Sequence, residues 1–389
     1  MASPTAHARL SPSSADRWIH CPGSVALSEQ LPPQEDTFYT REGTAAHEYA
    51  DITLRRTVFG KKSISVEDKR KYKAIKAGEY YSEEMEEAAE TYAGYIQELF
   101  AAAGRDAVLM TEQRLDLTPW IPEGFGQSDA VVIGNDTIHV IDYKYGKGVP
   151  VSAEKNPQLR LYALGAVNLF SDIYDFRNVQ TVIIQPRIGS ITTEEMTVEE
   201  LHIWGDTVVK PQAEKAYNGS DEFADGSWCN FCPAYDDCKV QYALAYKAAQ
   251  MDFADPMLMT DEDTEWVLEK ADAIISWLKS VQESALQEAL NGKHFNGYKI
   301  VEGRSVRKYS DPLKAAEWLN KAGFEDALIY ERNLLGLTAL TKVIGKKQIA
   351  EMETAGLIVK PEGKPTLVPE SDRREAMNTL KKAADDFNE

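Results

Sequence analysis

Asp129, Asp142 and Lys144 are the residues whose types and spacing most plainly ask for chemistry. Asp142-Tyr143-Lys144 closes a largely apolar run from Ile138 to Ile141. Side chains alternate along an extended strand, so Asp142 and Lys144 fall on one face. Gly126-Gln127-Ser128-Asp129 opens the preceding strand, and Gly134-Asn135-Asp136 reads as the hairpin turn between the two, which brings Asp129 alongside. Two carboxylates offer hard oxygen ligands to Mg²⁺ or Mn²⁺. An ion held there acidifies a water and neutralises charge on a phosphoryl group. An ammonium beside it orients that water or stabilises the developing charge. Such a set fits the needs of phosphodiester hydrolysis. An isolated Asp-x-Lys is commonly a surface ion pair; this one ends an apolar strand, one hairpin from a second acid.

Three further groups surround this set in the sequence. Gln158 and Tyr162 lie four apart on the next expected helix, hence on one face, where they could reach the metal site or a phosphate. His47, in Gly43-Thr44-Ala45-Ala46-His47, offers an imidazole near an expected helix start, among small residues that would let the helix approach the sheet. The four cysteines are Cys21 and the compact triplet Cys229-x₂-Cys232-x₅-Cys238. Four thiolates complete a tetrahedral zinc site or hold a cubane iron–sulfur cluster, and spacing alone does not choose. Either would tie the N-terminal segment to a point over 200 residues away.

The elements that must position these groups follow from periodicity. A short helix is expected near Ser14–Ile19, then a helix from Thr44 as N-cap to about Arg56, a polar and basic surface excursion over 60–82, and a helix over Glu83–Ala103 with Met85, Ala89, Tyr92, Ile96 and Leu99 on one stripe. Strands are expected at Ala107–Leu115, Asp129–Ile133 and Thr137–Tyr143, a helix from Pro157 to about Leu169, a strand at Val179–Gln185, and a helix over Val198–Tyr217 capped by Thr197. That order gives an α/β fold, antiparallel at first and then crossing over into a later strand. Beyond the cysteines, a long amphipathic helix is expected over 260–291, a strand at Tyr298–Val306, helices at 312–322 and about 338–355, and a turn at Pro361-Glu362-Gly363 before a final charged helix. The division is a domain over residues 1–245 and a mostly helical accessory region over 246–389.

Composition sets the bounds. The chain has 389 residues, 43% hydrophobic and 27% charged, as expected of a globular protein with a real core. No apolar run is long enough for a membrane span and the N-terminus lacks a secretory pattern, so a cytoplasmic location with no membrane partner is expected. The formal net charge of −19 argues globally against a nucleic-acid partner, but location matters more than the sum. The stretch 142–160, with Lys144, Lys147, Lys155 and Arg160, permits a basic groove on an acidic body.

Taken in order, Gly43-x₃-His47, Gly126-x₂-Asp129, Asp142-x-Lys144 and Gln158-x₃-Tyr162 resemble the motifs of RecB-type nucleases of the PD-(D/E)XK superfamily. One N-terminal cysteine plus Cys-x₂-Cys-x₅-Cys is similar to the iron–sulfur staple of AddB-type nucleases and of related CRISPR-associated exonucleases. The chain as a whole resembles an uncharacterised family of phages and prophages. The resemblance covers roughly residues 10–245. It implies a restriction-endonuclease-like core, a mixed central sheet flanked by helices, with an added mostly helical C-terminal region. It implies a Mg²⁺- or Mn²⁺-dependent deoxyribonuclease, exonucleolytic in mode, acting on DNA in phage replication, recombination or processing, in the host cytosol and beside phage recombination or replication proteins. His47, Asp129, Asp142 and the Tyr143 carbonyl would bind the metal, Lys144 would position the attacking water, and Gln158 and Tyr162 would support the site. Cys21, Cys229, Cys232 and Cys238 would hold a 4Fe-4S cluster, with zinc as the alternative. The second acidic position is Asp142 where Glu is commoner, which shortens its reach. The competing expectations are a catalytically silent DNA- or protein-binding module on the same fold, and a zinc-stapled interaction protein.

Overall fold

A computed structural model describes residues 8–32, 37–251, 260–301, 312–322, 330 and 336–358. The chain falls into two compact units, Met1–Ala285 and Leu286–Glu389. The first is built on one five-stranded sheet in the order β1 (Val108–Asp116), β2 (Phe125–Gly134), β3 (Thr137–Tyr143), β4 (Asn178–Gln185) and β5 (Ser190–Thr197). Neighbouring strands are antiparallel except β3 and β4, which run parallel. The parallel pair needs a crossover, supplied by α6 (Pro157–Phe170). The fold is therefore mixed α/β with helices on both faces of the sheet, as the element order led one to expect.

Each face has its own core. On one side Val131, Ile133, Ile138 and Val140 pack with α6 and with α1 (Ala15–His20), whose Trp18 is fully buried. On the other, Ala130, Val132, Ile141 and Tyr143 pack under α3 (Phe38–Phe59) and α5 (Glu83–Ala102). The β2–β3 hairpin turns through Asn135 and Asp136, both in the left-handed region with φ of 50° and 64°, as a two-residue hairpin connection requires.

Several expectations are corrected. The helix bearing His47 begins at Phe38, capped by the Thr37 hydroxyl on the Thr40 N–H, so His47 lies mid-helix and Thr44 is not its cap. The small residues do not all serve close approach: Ala46 is buried, but a side chain on Gly43 would meet nothing. The 60–82 excursion contains α4 (Val66–Lys76), started by a reciprocal capping box between Ser65 and Asp68. Strand β5 was not anticipated. The helix after Thr197 is continuous but changes character, from α7 (Val198–Trp204) through a π-type stretch over Gly205–Val209 to α8 (Lys210–Asn218).

The remaining helices of the first unit are α2 (Gly23–Ser28), α9 (Lys239–Met251) and α10 (Asp261–Leu290), whose last residues enter the second unit. Trp277 of α10 is buried and donates to the Asp236 carbonyl at 3.3 Å, while the Tyr235 hydroxyl donates to the Ala273 carbonyl at 3.1 Å. In the second unit α11 (Pro312–Lys321) and α12 (Leu337–Thr354, kinked at Gly345) match the helices expected there. Residues 298–301 form no strand; the rest of that expected strand and the turn and helix beyond 358 lie outside the described residues. No helix among the described residues is long and apolar enough to cross a membrane.

Candidate functional site

At the ends of β2 and β3 the sheet collects side chains from both of its helical layers. Pairing of Ala130 with Ile141 makes Asp129 and Asp142 the next cross-strand neighbours. Asp142 follows the period of Ile138 and Val140 and is buried, with only 4% of its side chain accessible. Lys144, just past the strand, places its ammonium 3.0 Å from Asp142 Oδ2. From α6 the Gln158 amide nitrogen donates to Asp142 Oδ1 at 3.2 Å, and its carbonyl accepts from Lys144 Nζ at 3.0 Å. The Tyr162 hydroxyl accepts from that same amide at 3.1 Å. From α3, His47 Nδ1 lies 3.2 Å from Asp129 Oδ1, while Asp129 Oδ2 accepts the Tyr143 N–H at 2.7 Å. His47, Asp129, Asp142, Tyr143, Lys144, Gln158 and Tyr162 are thus drawn into one cluster. Gly126 is needed for this: a Cβ there would stand 2.8 Å from the Tyr162 ring and 2.9 Å from Pro12.

Burial and charge act against each other throughout the cluster. Burial alone would lower the His47 pKa, but Asp129, and behind it Asp142, raise it to about 9. Burial opposes ionisation of Asp129, yet the His47 charge, the Tyr143 N–H and Lys144 hold its carboxyl below the usual value. Asp142 goes the other way: burial and the neighbouring Asp129 push it up despite Lys144. Lys144 itself stays above its ordinary value because Asp142 outweighs burial, so it is a cation and a proton donor here rather than a base. Two adjacent carboxylates with opposed shifts are a pattern found where acids do different work.

Asp142 Oδ2 is the feature that bears on a metal. It is buried, and the charge it faces is the Lys144 ammonium 3.0 Å away. A buried carboxylate oxygen needs a cation beside it, and a divalent ion is a partner such an atom also accepts. With Asp129 Oδ1 and the imidazole beside it, the donor set of two carboxylates and one nitrogen suits Mg²⁺ or Mn²⁺. Among the described residues no group of three or more His, Cys, Asp or Glu side chains is arranged to hold a metal ion; at the strand ends the carboxylates are turned to His47 and Lys144.

Glu112 was missed in the sequence. It lies in β1 opposite Asp129, between the paired positions Thr111–Ala130 and Gln113–Ser128, with φ of 51°. Partial burial and the Asp129 charge push its carboxyl up to about 7, and it accepts from the Gln127 amide. It lines a cleft of roughly 850 Å³ together with His47, Asp51, Arg55 and Tyr39. A single acid within a strand has no spacing signal; only the register of β1 on β2 reveals it.

The four cysteines also come together. Cys21 ends α1, Cys229 sits in the 3₁₀ turn Ser227–Phe231, Cys232 ends that turn and Cys238 immediately precedes α9. All four are free thiols lining one small cavity, with Arg17 and Tyr235 in its wall. The Ala224 N–H and the Gln241 amide point at Cys21 Sγ and Cys229 Sγ, each at 3.5 Å. His20 stacks on Trp228 at 4.3 Å, and the Gly23 N–H donates to the Glu222 carbonyl at 2.9 Å, closing the N-terminal segment onto this region. Burial raises the Cys229 and Cys232 thiols, so a bound cation is what would draw them into the thiolate form.

The basic stretch expected at 142–160 is largely neutralised. Lys144 pairs with Asp142, Lys147 with Glu84 at 3.5 Å and Arg160 with Glu194.

The fold and cluster define a mixed α/β protein with an acid–imidazole–ammonium centre at its strand ends and a four-thiol cavity at its rim. The chain belongs to the family described as protein of unknown function (DUF2800), whose model matches residues 7–375. It is also similar to a solved structure described as the crystal structure of SSO0001, at 15% identity over 58% of this chain and 95% of that one, with a TM-score of 0.23.

Proposed function

We propose that the protein is a metal-dependent nuclease that hydrolyses phosphodiester bonds of DNA, of the RecB-like PD-(D/E)XK type. The observation that carries this reading is the convergence of His47, Asp129, Asp142 and Lys144 at the strand ends, with the Asp142 carboxylate buried. Asp129, Asp142 and His47 would hold one Mg²⁺ or Mn²⁺ ion. When bound, such an ion supplies charge neutralisation at the phosphate and acidifies water. Lys144 is cationic and fixed by Gln158, so it orients a water or stabilises negative charge by donating a hydrogen bond. Gln158 couples Lys144 to Asp142, and Tyr162 fixes the Gln158 amide. The four cysteines fit a 4Fe-4S cluster, or zinc in its place, that locks residues near Cys21 to those near Cys238.

The test is an anaerobic digest of end-labelled single- and double-stranded DNA with Mg²⁺ and with Mn²⁺, beside Lys144→Ala. Cleavage by the natural protein and its loss in the variant are expected. DNA binding without cleavage in any metal would replace this reading with a silent binding module, and equal cleavage by both proteins would remove Lys144 from the chemistry. The visible spectrum of the anaerobic protein distinguishes cluster from zinc by absorbance near about 400 nm.

A further inference from the structure

The positive charge that the strand ends lack is found on α3 and α4. Residues 55–76 carry nine basic and two acidic side chains, in a chain of net charge −19. Of its two acids, Asp68 lines the cleft that leads to His47. Arg55 bridges Asp51 and Asp68, and Lys71 pairs with Glu48, all lining the acidic cleft that leads to His47. The opposite side of α4 is a separate groove of about 460 Å³ lined by Arg56, Lys61, Lys69, Lys73 and Lys76, with Tyr72 and no carboxylate in its wall. Lys76 is held by Glu86 at 2.8 Å. Arg56, Lys61, Lys69 and Lys73 form no ion pair with any described residue; Arg56 instead lies over the Tyr72 ring at 4.2 Å.

This concentration is built, not scattered. Tyr72 is anchored by a 2.9 Å hydrogen bond to the buried Tyr49 and stacks on it at 4.8 Å, so α4 is fixed on α3. The Ser65–Asp68 capping box sets where α4 begins. Lys69, Lys73 and Lys76 then recur at helical spacing along one edge. Like charges held together in a groove cost energy in the free protein, and a polyanion relieves that cost.

We propose that the α3–α4 groove is a docking surface for the phosphate backbone of the nucleic acid. Choosing nucleic acid over another polyanion rests on the nuclease reading above. The groove fits that role by its charge. Arg56 is nine residues after His47 on α3, about 13.5 Å along the axis, or about four phosphates of a duplex strand. Nine residues are about two and a half turns, so Arg56 is on the face of α3 away from His47, and a backbone held here must pass around α3 and α4 to reach the strand-end cluster.

The test is binding of a fluorescein-labelled 20-mer, single- and double-stranded, by anisotropy in EDTA from 50 to 300 mM KCl. The natural protein is compared with Lys61→Gln/Lys69→Gln/Lys73→Gln. All three side chains are exposed and Gln has a helix propensity close to that of Lys, so circular dichroism and the melting temperature are expected to be unchanged. The expected result is a salt-dependence slope lowered by about 2–3 and at least a tenfold loss of affinity at low salt, from about 0.7–0.9 per phosphate contact. Unchanged slope and affinity in a folded triple variant overturn the proposal, as does failure of the natural protein to bind either 20-mer. A variant that alters only self-association by sedimentation assigns the groove to an acidic face of a second copy and overturns it too. Salt-dependent binding that the triple variant loses, with no cleavage in any metal, upholds the groove and rejects the nuclease reading. Cleavage with unaltered binding in the triple variant does the reverse.

Discussion

Replacing Asp129 by Asn keeps an acceptor for the Tyr143 N–H and deletes only the charge that faces His47. In the metal-free protein that charge, with a smaller part from Asp142, raises the His47 pKa from 6.5 to about 9 against the effect of burial. At face value this is about 3 kcal/mol of preference for the charged ring. With 38% of the His47 side chain accessible, solvent screening reduces it to about 1–2 kcal/mol. The folded-state value lies above the unfolded one, so the stabilisation is fully present below about pH 6.5 and is lost as pH rises through about 9. Asp129→Asn should therefore destabilise the metal-free protein by about 1–2 kcal/mol at pH 6 and by nothing at pH 10. In the variant only Asp142 still raises His47, against burial and Lys144, and its titration should fall well below about 9. The assays are chemical denaturation in a chelator at both pH values and an NMR titration of the imidazole, assigned with His47→Gln. A His47 that titrates near 6.5 in the natural protein, or a stability difference that ignores pH, would refute the ion pair as the organiser of this site.

Gly126→Ala drives a methyl into the Tyr162 ring and Pro12, and overpacking of this kind should cost about 1–3 kcal/mol in denaturant unfolding. Tyr162→Phe removes the acceptor that fixes the Gln158 amide but fills the same space. It should leave stability within about 1 kcal/mol and lower kcat about tenfold with KM unchanged, whereas an unaffected kcat would show that Gln158 needs no such support. Cys232→Ser should abolish visible absorbance or bound zinc and lower the melting temperature by several degrees, read together by spectroscopy, metal analysis and calorimetry.

Much of this architecture is legible in the sequence because it rests on strong periodicity. The stripe from Met85 to Leu99, the alternation into Asp142 and the Asn135-Asp136 turn correspond to α5, β3 and the hairpin. What escaped notice lacks a buried stripe. No residue of α4 is buried, so it reads as loop apart from its capping box. Strand β5 lies at the edge of the sheet, half-exposed at every second residue and rich in Thr and Glu, so its polar alternation resembles a solvated segment. Gly43 looked like a helix boundary, yet an interior helical glycine costs only about 1 kcal/mol and the Thr37 cap lies six residues earlier. At the centre itself His47, Asp129, Asp142, Lys144, Gln158 and Tyr162 were found because each belongs to a spaced motif. Glu112 belongs to none and joins them only through strand register.

The location of a bound Mn²⁺ ion tests the central claim most directly. Crystals grown with Mn²⁺ and measured at its absorption edge should show one strong anomalous peak between Asp129, Asp142 and His47, at about 2.0–2.3 Å from their oxygens and nitrogen, and should lose it in Asp142→Asn. A peak elsewhere on the acidic surface with none at the strand ends, or a peak at that place indifferent to Asp142→Asn, would contradict the account.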